Sequence, residues 1–314
     1  MDYHGLANIG NTCSINTLIQ CLRKFNITTI IENSDGLYSE YKLLCDDLKK
    51  QSIRPNKFLN TFYKIFHMFY IKGEQLDFTE IYIMSINKFL EETHDPIYIS
   101  KHQKNYNYTS KLKQFFQQKS IDVYNINYKK SNSQLCDTFV GTEIQEISCK
   151  QCNEKYHNID TMLWTTLNMT ESITESLQNE FKIKKIPDWK CDKCKSISGT
   201  RTIRYWRLPE IWPIVLTRFG KKKNNSGINI PEEINLGNGI ELHSEECTNY
   251  ELISIANHYG TMQGGHYNTI CKELNEWVIY DDTNIIKISN DKIEKYLNNN
   301  KSCYVLFYKR KHCK

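Results

Sequence analysis

Apolar residues recur at helical spacing in the first part of the chain and at strand spacing in the last. After Cys13, the residues Ile15, Leu18, Ile19 and Leu22 fall at i, i+3, i+4 and i+7, so a helix starting near residue 12 carries one apolar face. Phe78, Tyr82, Ile86 and Phe89 mark a second helix, and Asp77 with Glu80 resembles a capping box at its start. Between about 100 and 135 the Tyr, Lys and Asn residues follow no clear period, and loop is the expectation there. From Phe139 the pattern shifts to short β-like runs. Glu143–Cys149 and Thr200–Leu208 come first, followed by Ile214–Leu216, Leu252–Ile255, Trp277–Tyr280 and Tyr304–Tyr308. Helices first and strands last predict an α+β fold.

Composition narrows the class without naming an activity. The 314 residues, 39% hydrophobic and 25% charged, suit a folded chain with a sizeable core and exclude a disordered charged tail. No Gly/Ser linker divides the chain, so one domain over residues 1–314 is expected. No apolar run approaches the roughly 18 residues of a membrane helix, and the first residues lack the basic start and apolar block of a secretory signal. The expectation is an intracellular protein, cytoplasmic or nuclear, without membrane contact. The 41 basic residues are interspersed with 36 acidic ones for a net charge of +5, which argues against nucleic acid as partner. The short runs Lys221–Lys223 and Lys309–Lys311 read as solvated charges.

Twelve cysteines change the picture more. Cys149/Cys152 and Cys191/Cys194 stand at C-x-x-C spacing and together supply the four thiolates that a closed tetrahedral zinc site requires. A redox pair of disulfides is the other reading of the same spacing. Cys13 falls at a predicted helix N-terminus, where unpaired N–H groups and the helix dipole favour a thiolate. Gly10 permits a turn that lets Asn8 aim its amide at an oxyanion. Taken alone, a buried inert cysteine fits this segment as well.

Far along the chain, residues 266–272 and 277–281 read as two strands joined by the loop 273–276. If Lys272 pairs with Trp277, Asn268 pairs with Asp281. Asp281 then lies diagonal to His266 on the same face, about 7–8 Å away between backbones and within side-chain reach. Asp282 is expected to point to the other side. An imidazole with a carboxylate to orient it supplies the base of a Cys-His-Asp arrangement.

Together these segments resemble the ubiquitin-specific proteases, the papain-like cysteine deubiquitinases. Gly5-Leu-Ala-Asn8-Ile-Gly-Asn-Thr-Cys13, continuing through Asn16 and Gln20, is similar to the family's Cys box, with Ser14 where an aromatic residue is usual. His258-Tyr-Gly260, Gly264-Gly265-His266-Tyr267, Trp277 and Tyr280-Asp281-Asp282 are similar to its His box, and Tyr304–Tyr308 to its closing strand. Gln75-Leu-Asp77, Phe139-Val-Gly141 and Leu216-Thr-Arg218-Phe219 match further elements in order.

The resemblance implies a papain-like fold with a helical thumb (1–135), zinc-binding fingers (136–206) and a β-rich palm (207–314), as a bare catalytic domain. It implies hydrolysis of the bond after the C-terminal Gly of ubiquitin through an acyl-thioester. Cys13 would be the nucleophile, His266 the base, Asp281 its orienter and Asn8 the oxyanion donor. His258 would be a rival base of lower rank. Asp77, Gly264, Gly265 and Tyr267 would meet the ubiquitin tail, although Leu76 and Phe78 are bulkier than the family pattern. Cys149, Cys152, Cys191 and Cys194 would hold a structural Zn2+. The expected partners are ubiquitin and ubiquitinated proteins, the expected state a monomer. The alternatives are a protease for a ubiquitin-like modifier and a silent ubiquitin-binding protein.

Overall fold

The computed structural model describes residues 3–30, 35–237, 247–261, 263–274 and 276–311. Its first helix, α1 (Cys13–Leu22), is buried on every side, polar residues included. The apolar face found in the sequence is therefore only half of what the helix buries. Its polar side is accommodated because Asn16 donates to the carbonyls of Leu6 and Ala7, at 3.4 and 3.3 Å, and Gln20 to that of His4 at 3.1 Å. The helices α2 (Leu37–Asp47), α3 (Asn56–Ile65), α4 (Phe78–Glu92), α5 (Lys111–Asn127) and the short α6 (Gln134–Phe139) follow; α4 packs on α1, α2 on α3 and α4, and α5 on the strand Lys155–Met162.

α4 starts where expected. The Asp77 carboxylate caps it by accepting from the backbone N–H of Thr79 at 2.8 Å and of Glu80 at 3.4 Å. α5, in contrast, occupies the segment expected to be loop. Only Phe116, Ser120 and Tyr124 are buried along its length, a stripe at i, i+4 and i+8 too narrow to stand out among Lys, Gln and Asn neighbours.

The strands form two sheets. β1 (Gly141–Cys149), β2 (Lys155–Met162), β4 (Lys184–Lys190) and β5 (Ile197–Arg207) make an antiparallel sheet in the order β2-β1-β5-β4. The second contains β3 (Thr165–Leu167), β6 (Ile211–Leu216), β7 (Glu233–Asn235), β8 (Asn249–Gly260), β9 (Gly265–Lys272), β10 (Trp277–Asp281), β11 (Asn284–Ile288) and β12 (Cys303–Arg310). Its order is β11-β10-β9-β8-β12-β6-β3, with β7 paired to β8. Only the β3–β6 pairing is parallel. The span 136–206 is thus not uniform: β3 joins the larger sheet, and α7 (Ile173–Phe181) packs into that sheet's apolar cluster, while the other strands form the separate sheet. The last helix, α8 (Asn290–Leu297), packs on the same cluster.

One core lies between the helices and the larger sheet, where Phe78 and Tyr82 of α4 meet Phe307 of β12 edge-on at 6.2 and 5.8 Å. This is a layered α+β arrangement, as the order of helices and strands predicts. Arg218, fully buried just after β6, donates to the carbonyls of Asn224, Ser226, Asn300 and Cys303. These bonds fix the following loop and hold Phe219 at the boundary between helices and sheet, against His258 and Tyr304.

Candidate active site

The β9–β10 hairpin has the predicted register: Lys272 faces Trp277, Tyr280 faces Thr269, and the loop closes with Glu273 N–H to the Glu276 carbonyl at 2.8 Å. The pleat then carries His266 and Asp281 to one side, and Nε2 of His266 lies 2.5 Å from Oδ1 of Asp281. With Nε2 given to the carboxylate, Nδ1 is the nitrogen left for another partner.

Cys13 enters from the opposite layer at the first position of α1, which packs on β9. Cys13 is 3% exposed, and the backbone of Tyr267, the residue after His266, lies beside its thiol. Burial pushes the thiol above its ordinary value and Asp282 adds to this, while the Tyr267 and Ser14 backbone groups work against them. The helix N-terminus, expected to lower this thiol, is outweighed, because a helix end contributes only about 0.3–1 kcal/mol.

Asp282 does not point away. Its backbone adopts φ of 52°, the left-handed region, which breaks the strand alternation and turns the side chain toward the Cys box. Oδ1 accepts from Asn16 at 2.7 Å and Oδ2 from Asn8 at 3.0 Å, and the Asp282 carbonyl accepts from Leu6 N–H at 3.0 Å. The oxygen of the Asn8 amide accepts from Thr12 N–H at 3.1 Å, so the amide is clamped at both ends and one of its two N–H bonds stays available. Ligand atoms of His266, Asp281 and Asp282 all lie within 4.8 Å of one another. The sequence signal for Asp282 was the Asp-Asp pair itself, but strand alternation assigned it to the wrong face.

A cleft of about 270 Å³ runs alongside, lined among others by Gln75, Asp77, Phe219, His258, Gly264 and Tyr267. Asp77 Oδ2 accepts from Tyr304 OH at 3.2 Å and from Tyr267 OH at 3.5 Å, so its carboxylate joins α4 to the sheet while capping the helix. Leu76 and Phe78 are both buried, and the Phe78 ring stacks on Tyr267 at 6.3 Å. His258 packs against the rings of Tyr267 and Phe219, and burial first, then Lys223, holds it down at about 4. It is a neutral wall of the cleft and is not paired with a carboxylate. The two glycines differ: a Cβ on Gly265 would lie 2.0 Å from the Tyr259 carbonyl, whereas one on Gly264 would meet only Gln75, at 3.4 Å. Gly265 is therefore required by the close approach of β8 and β9.

At the far end of the smaller sheet, the β1–β2 turn and the turn before β5 bring Cys149, Cys152, Cys191 and Cys194 together. The sulfurs lie within 4.8 Å of one another, with Cys149 to Cys194 at 3.6 Å and Cys152 to Cys191 at 3.7 Å. The Ser196 hydroxyl and the backbone N–H groups of Cys152 and Gln151 hold the Cys149 thiol down to about 6. The same cluster draws the Cys191 thiol down, chiefly through the Cys194 backbone N–H, and pushes that of Cys152 up; four sulfurs in a shell this tight suit one metal ion.

A buried thiol against the strand that presents a histidine–carboxylate pair, at the meeting of a helical layer and an antiparallel sheet, is the architecture of a papain-like cysteine hydrolase. Residues 4–308 match the family model of the ubiquitin carboxyl-terminal hydrolases, and the chain belongs to that family. Ubiquitin carboxyl-terminal hydrolase Usp2 of Drosophila melanogaster is 25% identical over 336 residues, covering 98% of this chain and 34% of that protein. Ubiquitin carboxyl-terminal hydrolase 8 of Arabidopsis thaliana is 35% identical over 131 residues, 39% of this chain and 14% of that one. The chain thus spans about a third or less of the length of these two relatives. Among solved structures, the yeast SAGA DUBm superposes with a TM-score of 0.75 at 20% identity, covering 99% of this chain and 69% of its match. The SAGA DUB module of Ubp8, Sgf11, Sus1 and Sgf73 bound to monoubiquitin gives 0.73, also at 20% identity, covering 99% and 70%.

Proposed function

We propose that this chain is a thiol-dependent deubiquitinase that hydrolyses the isopeptide or peptide bond after the C-terminal Gly of ubiquitin. The observation that carries the reading is the Cys13 thiol lying against the strand that presents His266, with His266 paired to Asp281 at 2.5 Å. In the reaction, Nδ1 of His266 takes the thiol proton and the Cys13 sulfur attacks the glycine carbonyl. Asn8, held by Asp282 and Thr12, gives its remaining N–H to the oxyanion. The C–N bond breaks, the lysine amine leaves with the proton from His266, and an acyl-thioester remains on Cys13. Water then gives its proton to His266 and adds to the thioester carbonyl. Collapse releases the ubiquitin carboxylate, and the departing sulfur is again paired with the imidazolium. Asp281 keeps the imidazole oriented throughout.

Asp77, Gly264, Gly265 and Tyr267 line the route of the ubiquitin tail in this reading, with the Asp77 carboxylate facing a basic tail residue. A zinc ion on Cys149, Cys152, Cys191 and Cys194 is structural, because four protein thiolates leave no coordination position for substrate. A monomer suffices, since every proposed catalytic residue comes from one chain. An intracellular, cytoplasmic or nuclear, setting suits a hydrolase whose proposed nucleophile and metal ligands are thiols that must stay reduced to act.

The test is reaction with ubiquitin carrying a C-terminal electrophile. A covalent adduct that requires Cys13 and slows in His266→Ala is the expected result. A folded, metal-loaded protein that forms no adduct would overturn the deubiquitinase reading. Adduct with a ubiquitin-like modifier, or binding of unmodified ubiquitin without turnover, would then separate the two alternatives.

A further inference from the structure

The cleft beside His266 is spanned from the helical layer by Asp77, which meets Tyr267 and Tyr304, and by Gln75. Gln75, two residues before the α4 cap, donates from Nε2 to the Gly265 carbonyl at 2.6 Å and accepts at Oε1 from the Gly265 N–H at 2.9 Å. A carboxamide offers the same donor and acceptor as a peptide group, so these bonds reproduce one rung of strand pairing. They do so where, among the described residues, β9 has no strand partner on that side: β10 pairs with β9 only from Thr269 onward. Two residues further along β9, the Tyr267 backbone lies beside the Cys13 thiol. An extended peptide reaching Cys13 along this edge would pair with Gly265 first. Gln75 Oε1 also closes the space beside Gly264, which is otherwise open.

We infer that Gln75 is a plug that mimics the substrate's main chain. In the free protein it occupies the Gly265 rung, and the C-terminal tail of ubiquitin must displace it to reach Cys13. This rests on the deubiquitinase reading for the identity of the tail, but the pairing itself does not. The plug lowers apparent tail affinity by the fraction of molecules in which the rung is free. It also restrains the residue next to His266 until a tail replaces it, so Gln75 acts as a positioning residue for substrate entry.

The experiment compares the full-length chain, zinc-loaded, with Gln75→Ala and Gln75→Glu. Without ubiquitin, amide exchange at Gly265 read by NMR should be about fivefold faster in Gln75→Ala, as expected for losing two partly exposed hydrogen bonds. Gln75→Glu keeps the acceptor for the Gly265 N–H but loses the donor to its carbonyl, and should fall between. With a fluorogenic ubiquitin C-terminal amide, kcat/KM should rise about three- to tenfold in Gln75→Ala, through a lower KM. Unchanged exchange at Gly265 overturns the plug. So does a higher KM, which would make Gln75 a substrate contact, or a fall in kcat alone, which would make it a support of the triad. The exchange arm needs no ubiquitin, so a wild-type protein that turns over no ubiquitin substrate would remove the deubiquitinase reading while exchange still decides the Gln75 pairing.

Discussion

Cys13 and Cys149 are the same chemical group pushed in opposite directions. Cys13 lies at a helix N-terminus yet is driven up by burial, while Cys149, in the tip of the smaller sheet, is drawn down to about 6 by the Ser196 hydroxyl and backbone N–H groups. A helix end is a diffuse field; a hydrogen bond aimed at sulfur is local and directional. The contrast separates two uses of a thiol. At the tip, hydrogen bonds favour the thiolates of Cys149 and Cys191, while their neighbour Cys152 is pushed the other way by the sulfurs around it. In the cleft, burial favours the protonated Cys13 thiol, and in the proposed mechanism His266 is the group that removes its proton.

The largest effect that would break this contrast comes from the cleft. Cys13→Ala should remove turnover of a ubiquitin amide by about 10⁴-fold or more, whereas Cys191→Ser should leave adduct formation on Cys13 measurable. Equal loss in both would mean that the tip, too, serves the chemistry. Cys191→Ser or chelation should instead lower stability by about 3–5 kcal/mol, read as a melting temperature lower by roughly 5–10 °C with loss of one zinc per chain. An unchanged melting temperature and no bound zinc would show the tip cysteines to be inert.

The clamp on Asn8 sharpens the cleft side. Asp282→Ala frees the Asn8 amide and should cost about 10- to 100-fold in kcat with little change in KM, less than the ~10²–10⁴-fold expected for His266→Ala. A larger loss in Asp282→Ala than in Asp281→Ala would reverse the roles of the two carboxylates.

Alkylation gives a third test. In the zinc-stripped protein, Cys149 should react with iodoacetamide from about pH 6 upward, while Cys13 in the free protein should stay slow until the pH exceeds that of an ordinary thiol. Mass spectrometry of the two peptides reads this directly, and coincident profiles would erase the contrast.

The smallest effect is on stability at mild acid. His258 and His102 are both held below the ordinary histidine value, chiefly by burial. The unfolded chain therefore binds protons first, and stability should fall as pH drops from about 6.5 toward 4, through the His258 value. A flat melting temperature over that window would show that neither ring is desolvated.

Much of this was legible in the sequence because it depended on short-range periodicity. The i, i+3, i+4, i+7 spacing placed α1, and the alternation on each side of a four-residue loop fixed the register that pairs His266 with Asp281. α5 escaped because its buried stripe is one residue per turn, which polar neighbours hide. Asp282 was misplaced because alternation holds only while the strand stays extended, and its φ of 52° ends it. Leu76 and Phe78, bulkier than the family pattern beside Asp77, are both buried, and Phe78 stacks on Tyr267.

By itself, then, the chain's own pattern determined the identity of the chemistry: which thiols stand in C-x-x-C pairs, which cysteine opens a helix, and which histidine shares a strand face with a carboxylate. Each of these is set by residues a few positions apart, whose relative geometry is imposed by helix or strand repeats. Only the tertiary structure decided the protonation of Cys13, the clamp of Asp282 on Asn8 and Asn16, and the seating of Gln75 on Gly265. These depend on burial and on contacts between residues 190 to 274 positions apart, which no local repeat encodes.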